Sequence, residues 1–401
     1  MTLRRMILAC LLAAISPAMA QHAHHGPAPR AECTADTRLP CAAAATPAFL
    51  ADGGLVVAWS AGGRVMAARA DGAGSPLAAP VALNAAPEPI DDNGEARPMV
   101  AASGRRVWVA WSVRTDKAFN GRLMLAVSED GGRSFGPARA VADDPASQRF
   151  AALGVGRGGR LYMAWIDKRG LAAAKRRGED YRGAALAVGW SDDGGGLHQE
   201  VAADHSCECC RVAMAFDGRG LPVLLWRHVF APNIRDHAVM AFAQPDRPGP
   251  VVRVAEDDWR IDACPHHGPA LAVTADGGVV AAWYTAGNRR QGLFLARAAA
   301  PGAAFGEPRA IGDAERLPSH PQLLAQGGRL WLAWTEFDGE RTWVMAQVSE
   351  DGGASWGSPW TLATTHDASD HPQLVSDGRR GWLSWLTRAE GWRLMPLEGA
   401  P

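Results

Sequence analysis

Residues 56–60 read VVAWS, and the same short apolar run closing on a tryptophan returns six more times. The further copies are VWVAWS at 107–112, LYMAWID at 161–167, PVLLWRH at 222–228, VVAAWYT at 279–285, LWLAWTE at 330–336 and GWLSWLT at 381–387. Trp59, Trp111, Trp165, Trp226, Trp283, Trp334 and Trp385 are therefore spaced by 52, 54, 61, 57, 51 and 51 residues. A period near fifty with several short strands per unit predicts a β-propeller, an all-β fold of radially repeated sheets. Seven units predict seven blades. Six blades with one terminal unit outside the ring is the alternative.

The unit at residues 320–363 shows the pattern within one repeat. PQLLA, LWLAWTE, TWVMAQVS and WTLA alternate as strands, with Gly327-Gly328 and Asp338-Gly339 as hairpin signals between the first three. Four antiparallel strands make a blade. The alanine or serine beside each tryptophan is small, as neighbouring blades packed face to face require. The last unit, 371–398, holds only three strands, so a segment from the N-terminal arm could add a fourth and close the ring. A closed ring leaves no sheet edge to template aggregation.

The ends of the chain carry different signals. Arg4 and Arg5, an apolar run from Met6 to Ile15 and Ala18-Met19-Ala20 read as an export signal over residues 1–20. The run is too short for a membrane span, and ILAC around Cys10 is a poor lipobox. The expected mature protein is periplasmic or secreted. Residues 21–45 form an arm rich in Ala, Pro and His, and 46–398 form one propeller domain. The formal charge is −1, and removal of Arg4 and Arg5 takes it to −3, which excludes a basic nucleic-acid surface. Nothing in the chain suggests a nucleotide cofactor. Lys175-Arg176-Arg177 lies in an insertion of the third unit and reads as a solvated loop.

The turn after the third strand repeats a sharper motif. Ser128-x-Asp130-x-Gly132-x-x-Phe135 and Ser349-x-Asp351-x-Gly353-x-x-Trp356 share one pattern, and a degenerate copy begins at Ser191. The pattern resembles the Asp-box, or BNR repeat, of the sialidase superfamily. Its role there is structural: Ser and Asp oxygens accept turn amides, glycines permit positive φ and the aromatic packs beneath. Asp130 and Asp351 are accordingly not expected to be catalytic acids.

The resemblance implies a fold more than an activity. Sialidases hold a carboxylate with three arginines and use a tyrosine nucleophile near the end of the chain. The tyrosines here are Tyr162, Tyr181 and Tyr284, and none follows position 284. The Arg-Ile-Pro signature is missing, with Arg97-Pro98 its nearest echo. A glycoside hydrolase or lyase acting on an acidic sugar is thus an alternative reading, with Asp262 or Glu208 as acid/base. A non-catalytic interaction scaffold is a second alternative.

Residues opening the first, innermost strand of each unit should converge at the channel mouth. Fourteen to sixteen positions before the tryptophans of units two to seven stand Arg97, Arg149, Cys210-Arg211, His267, His320 and His371. Arg97, Arg149 and Arg211 form a candidate anion-binding face, guanidinium forks matching planar oxyanions. Such arginines also pair with acidic neighbours such as Glu95.

Two segments concentrate metal-ligand chemistry. His205, Cys207, Cys209, Cys210 and Arg211 enter unit four, and Cys264, His266 and His267 enter unit five. With His320 and His371 these form a thiolate and imidazole set suited to copper, ahead of zinc. His22, His24 and His25 add a second possible copper tract on the arm. Six cysteines remain after cleavage, and an even count outside the cytoplasm equally suggests disulfides. Cys33 and Cys41 could close a small loop, and the other four could stitch unit four to unit five. A vicinal Cys209–Cys210 bridge would be strained. HSCECCR, the segment Asn233 to Asp236 and the stretch Trp259 to Pro269 also resemble a cysteine-containing subgroup of exported, sialidase-like BNR propellers. That resemblance implies no particular activity. A metal ion or a small anion is the expected partner.

Overall fold

Every tryptophan run forms the second strand of an antiparallel sheet. The computed structural model describes residue 33 and residues 35–192 and 196–398, and within them seven such sheets follow one another in chain order. The second strands are Leu55–Ala61, Arg106–Arg114, Leu161–Asp167, Pro222–Arg227, Val279–Ala286, Arg329–Phe337 and Gly381–Thr387. Each is flanked by the first and third strand of its own blade. Blades 1, 2, 3, 5 and 6 have four strands, and blade 7 has three. In blade 4 the third strand, His237–Gln244, pairs beyond with two short pieces, Arg247–Pro248 and Val252–Arg253. The fold is the seven-bladed propeller that the repeat predicts.

The tryptophans explain why the blades stack. All seven are between 0 and 2 % exposed. Each packs into the blade before it: Trp111 against Val56 and Ala58, Trp165 against Trp108 and Leu123, Trp226 against Ala164 and Leu186. Trp385 meets Trp331 and Val344, and Trp59 closes the circle against Leu386 of blade 7. Burying a large ring at every seam makes the seven interfaces one continuous core.

Polar clamps reinforce two seams in the same way. The S-x-D-x-G turns of blades 2 and 6 share one internal bonding scheme. Ser128 Oγ donates to Asp130 at 2.8 Å and accepts from Gly132 N at 2.8 Å. Ser349 does the same with Asp351 and Gly353, both at 2.8 Å. Side-chain and backbone bonds from Ser134 and Ser355, with those from Ser128 and Ser349 behind them, hold the two aspartates down to a pKa of about 2, against the push of burial, and the aspartates serve their turns. Each turn is hooked by an arginine of the preceding blade. Arg69 Nη1 donates to Gly131 O at 3.0 Å, and Arg297 Nε donates to Gly352 O at 2.9 Å. Phe135 and Trp356 pack at the edges of the neighbouring clusters.

The arm meets the ring differently from a strand. A disulfide joins Cys33 to Cys41, and Leu39–Cys41 is a 3₁₀ turn. Thr37 O accepts from Trp59 Nε1 at 2.8 Å, while Leu39 and Ala42 pack with Trp392 and Leu394 of blade 7. The arm's described part therefore plugs the closing seam by side-chain packing. Among the described residues no arm strand joins blade 7; Ala44 and Ala45, where the arm meets the ring, open the first strand of blade 1, Ala44–Phe49, instead. Residues 1–32, with the expected export signal and the His22, His24, His25 tract, lie outside the described residues, as do residues 193–195 of the degenerate third turn. The blade 3 insertion is a short helix, Arg169–Arg177, ended by Gly178 in the left-handed conformation. Among the described residues no helix is long and apolar enough to cross a membrane.

Candidate functional site

The two cysteine segments are brought together by blade 4. The last strand of blade 3, His198–Ser206, runs directly into Cys207, whose amide donates to Arg227 O at 2.9 Å. The chain then turns through Cys209 and Cys210 into the first strand of blade 4, Ala213–Phe216. The other segment is held by Asp236. Its carboxylate accepts from the amides of Asp257, Asp258 and Trp259 at 3.0–3.3 Å, and Arg235 N donates to Trp259 O at 2.8 Å. Asn233 to Asp236 thus anchors residues 257–262, the stretch that leads into Cys264.

Four sulfurs and one imidazole gather there, and none of the four cysteines is disulfide-bonded. Cys207 Sγ lies 3.5 Å from Cys209 Sγ and 4.0 Å from Cys210 Sγ. A disulfide needs about 2.05 Å, so the expected stitching of blade 4 to blade 5 is not formed. Two thiolates on one tetrahedral ion would stand about 3.8 Å apart, given metal–sulfur bonds of about 2.3 Å. The observed spacings bracket that value. The ligand atoms of Cys207, Cys209 and Cys210 lie within 4.8 Å of one another, and so do those of Cys209, Cys264 and His266. Cys209 belongs to both triads. Cys207, Cys209 and Cys210 are 1–2 % exposed, His266 is half-buried and Cys264 is exposed.

The cluster is electrostatically prepared for anionic sulfur. Arg235 Nη1 lies 3.5 Å from Cys207 Sγ. Hydrogen bonds from Cys209 and Cys210 hold the Cys207 thiol well below its usual range, and the Arg227 and Arg235 charges add to them against the push of burial. Bonding to Cys207 conversely pushes Cys209 up, and Cys210 up to about 12. Cys264 is lowered by its bond with Cys209.

His320 and His371 belong to a different group, around Glu95. Their Nδ1 atoms stand 3.8 and 3.5 Å from Glu95 Oε1. Arg211 reaches the same carboxylate, its Nη1 at 3.3 Å and its backbone amide at 3.2 Å. Burial opposes ionisation of Glu95, yet Arg211 and the two imidazoles hold it well below the carboxylate range. Burial pushes His371 down to about 4, Glu95 resisting. The imidazoles stack, His320 on His371 at 3.5 Å between ring centroids and on His267 at 5.1 Å, with Tyr284 on His267 at 4.2 Å. Two glycines make room for this knot. A Cβ on Gly94 would stand 2.5 Å from the His371 ring, and one on Gly268 would stand 2.5 Å from Glu95 Oε2.

The three arginines of the expected anion face are each engaged across a blade seam. Arg97 pairs with Asp370 at 3.3 Å and donates to Ala45 O and His371 O, tying blade 2 to blades 1 and 7. Arg149 pairs with Asp91 at 2.6 Å, and Arg211 with Glu95. Their charges are balanced inside the protein, so the face works as a set of ring clamps. Of the other expected ligands, His205 accepts from Arg182 N at 3.1 Å and meets the Tyr181 ring at a tilt, while His267 sits in the ring stack; neither joins a triad among the described residues. Asp262 accepts from Asn233 at 2.6 Å and Glu208 pairs with Lys168 at 2.6 Å. Both weak acid/base candidates thus serve local surface contacts. Three site histidines, His205, His266 and His320, occupy left-handed backbone at φ between 50 and 61°, a costly conformation for a non-glycine residue. Glu95 and Arg235 are the site residues that the repeat alignment passes over. Only the position of Arg235 beside Asp236 in the recurring segment signals it.

No protein-family model matches the chain, and no curated protein sequence does. Solved structures do match. An ulvan lyase superposes with a TM-score of 0.59 at 10 % identity, over 92 % of this chain and 96 % of its own. A protein of unknown function from Dyadobacter fermentans gives 0.54 at 15 % identity, over 75 % and 92 %. The Hadza microbial sialidase gives 0.52 at 12 % identity, over 85 % and 76 %. At such identities the likeness is one of fold. The chain has the fold of a sialidase-like seven-bladed β-propeller.

Proposed function

We propose that this propeller is an exported metal-binding protein that takes one soft ion, copper(I) ahead of zinc, at its cysteine cluster. The observation that carries the reading is the unbonded, buried trio Cys207, Cys209 and Cys210, with sulfurs spaced as on a shared ion and Arg235 beside them. The three cysteines pack in the apolar cluster of blades 3 and 4 with Leu186 and Trp226, so the metal reading rests on the spacing of their sulfurs and not on their burial. Soft thiolate sets favour copper(I), and structural zinc wants four ligands. The described residues supply triads that share one member, not a quartet. Arg235 and Arg227 offset the negative charge that three thiolates leave around a monovalent ion.

The Glu95 group is a poorer cation site, because the Arg211 guanidinium already neutralises its carboxylate. Sugar cleavage, the activity for which the sialidase and lyase neighbours are named, has less support. The arginines that would hold an acidic sugar are paired internally, and Tyr284 lies in a ring stack.

The test is anaerobic titration of the reduced protein with copper(I) against a chromophoric chelator, alongside a zinc titration and a thiol count. One copper per chain, lost in Cys207→Ser, is the expected result. Four free thiols with neither metal bound would end the metal reading.

A further inference from the structure

We propose that copper(I) enters through the Cys209–Cys264–His266 triad and passes inward to Cys207 and Cys210 by ligand exchange pivoting on Cys209. This rests on the metal-binding reading and adds a direction to it.

The two triads overlap in one atom, the sulfur of Cys209. They differ sharply in access. Cys264 is exposed and His266 half-buried, while Cys207, Cys209 and Cys210 are nearly closed to solvent. An ion arriving with a soluble carrier meets the outer ligands first. An inner site with no outer ligand would require the ion to shed its carrier before gaining a protein donor, which raises the barrier to entry. Sharing Cys209 removes that requirement, because the ion keeps one protein bond throughout. Cys264 and His266 leave as Cys207 and Cys210 arrive, so the coordination number stays at three. The protons balance: any proton still carried by Cys207 or Cys210 is released as its sulfur binds, the departing Cys264 thiolate takes one up and any remainder passes to solvent. No electron is transferred.

The loop geometry fits a transfer station. The outer ligands sit on the strand-free stretch before Ala270–Val273, and His266 adopts left-handed backbone at φ 50°. The inner ligands follow a strand and are tied to blade 4 through the Cys207 amide. The inner set is the fixed one. The Cys207 sulfur of that set also faces the Arg235 guanidinium, which favours the more anionic three-thiolate complex once the ion has moved inward.

The experiment compares rates with equilibrium. Reduced wild-type, Cys264→Ser and His266→Asn proteins are mixed with the copper(I)–bicinchoninate complex, and loading is followed by stopped-flow absorbance. Asparagine is chosen because it tolerates left-handed backbone. Both variants should load about 10-fold or more slowly yet reach wild-type occupancy at equilibrium, whereas Cys207→Ser should lose occupancy. Loading of both variants at the wild-type rate overturns the entry route alone. So does an equal loss of equilibrium affinity in all three variants, which would make the outer residues part of the resting site. Failure of the wild type to take copper at all overturns the metal-binding reading itself.

Discussion

Arg235 points its Nη1 at the sulfur of Cys207 from 3.5 Å, placing a guanidinium in the wall of the thiol cluster. The same residue's backbone amide grips Trp259 O, so one position sets both the charge at the inner triad and the path of the outer loop. Arg235→Gln keeps a hydrogen-bonding group and removes the charge. Reduced, metal-free protein should then show less thiolate absorbance in the ultraviolet near neutral pH. Copper(I) affinity should fall by about 10–100-fold, the scale of an outer-shell partner. Unchanged absorbance would show that the sulfur–sulfur bonds alone hold the anion.

Buried histidines should set the acid limit of the fold. Burial pushes His371 and His228 down to about 4 from an ordinary value of 6.5, and holds His237 well below its ordinary range. In the unfolded chain they bind protons below about 6.5, while in the folded chain they stay neutral to lower pH. The histidines' share of stability is therefore fully present above about pH 6.5 and is lost as pH falls towards 4, against the opposite trend of Asp92 and Asp370, which burial raises to about 6. His371 alone accounts for at most about 3 kcal/mol of this. Chemical denaturation at a series of pH values should show a shallower slope between pH 4 and 6.5 in His371→Asn.

The two arginine hooks should contribute alike and independently. Arg69→Ala and Arg297→Ala each remove a charged bond to the glycine carbonyl of a neighbouring turn. Each should cost about 1.5–3 kcal/mol of unfolding free energy. The seams lie between blades 1 and 2 and between blades 5 and 6, so the double variant should show near-additive loss. A double loss well below the sum would mean that the ring unzips from one seam first.

Gly268→Ala should damage the Glu95 knot and spare the metal. Its Cβ would stand 2.2 Å from Arg211 Cγ as well as close to Glu95. Overpacking of this kind costs about 1–3 kcal/mol. Copper(I) affinity should remain that of the wild type, since Glu95, His320 and His371 form a group separate from the cysteines. A matching fall in copper affinity would show that the two groups work as one site.

Much of the candidate site was legible because repeats allow like positions to be compared. Counting back from the tryptophans finds Arg97, Arg149, Arg211, His267, His320 and His371 at the blade entries, and the structure keeps them there. The count could not say which side chains face one another across the mouth. His320 and His371 looked like partners of the cysteines because both sets carry metal donors. Their Nδ1 atoms face Glu95 instead, a residue two places before Arg97 with no repeat of its own. The arginines looked like an anion face until Asp370, Asp91 and Glu95 proved to lie opposite them.

The sequence by itself determined the propeller, its seven blades and the places where cysteine and histidine enter it. Periodicity, strand alternation and turn residues are local properties, and a local pattern repeated seven times admits few architectures. Tertiary structure alone decided the spacing of the site's sulfurs and the groups around them. Whether Cys207 meets another sulfur at bonding distance or at 3.5 Å, and whether a guanidinium stands beside it, depends on how blades 4 and 5 seat their connecting loops. The two sulfurs are 2 positions apart and the guanidinium is 28 from Cys207, yet both spacings are set by how the loops seat on the blades, which no local pattern encodes.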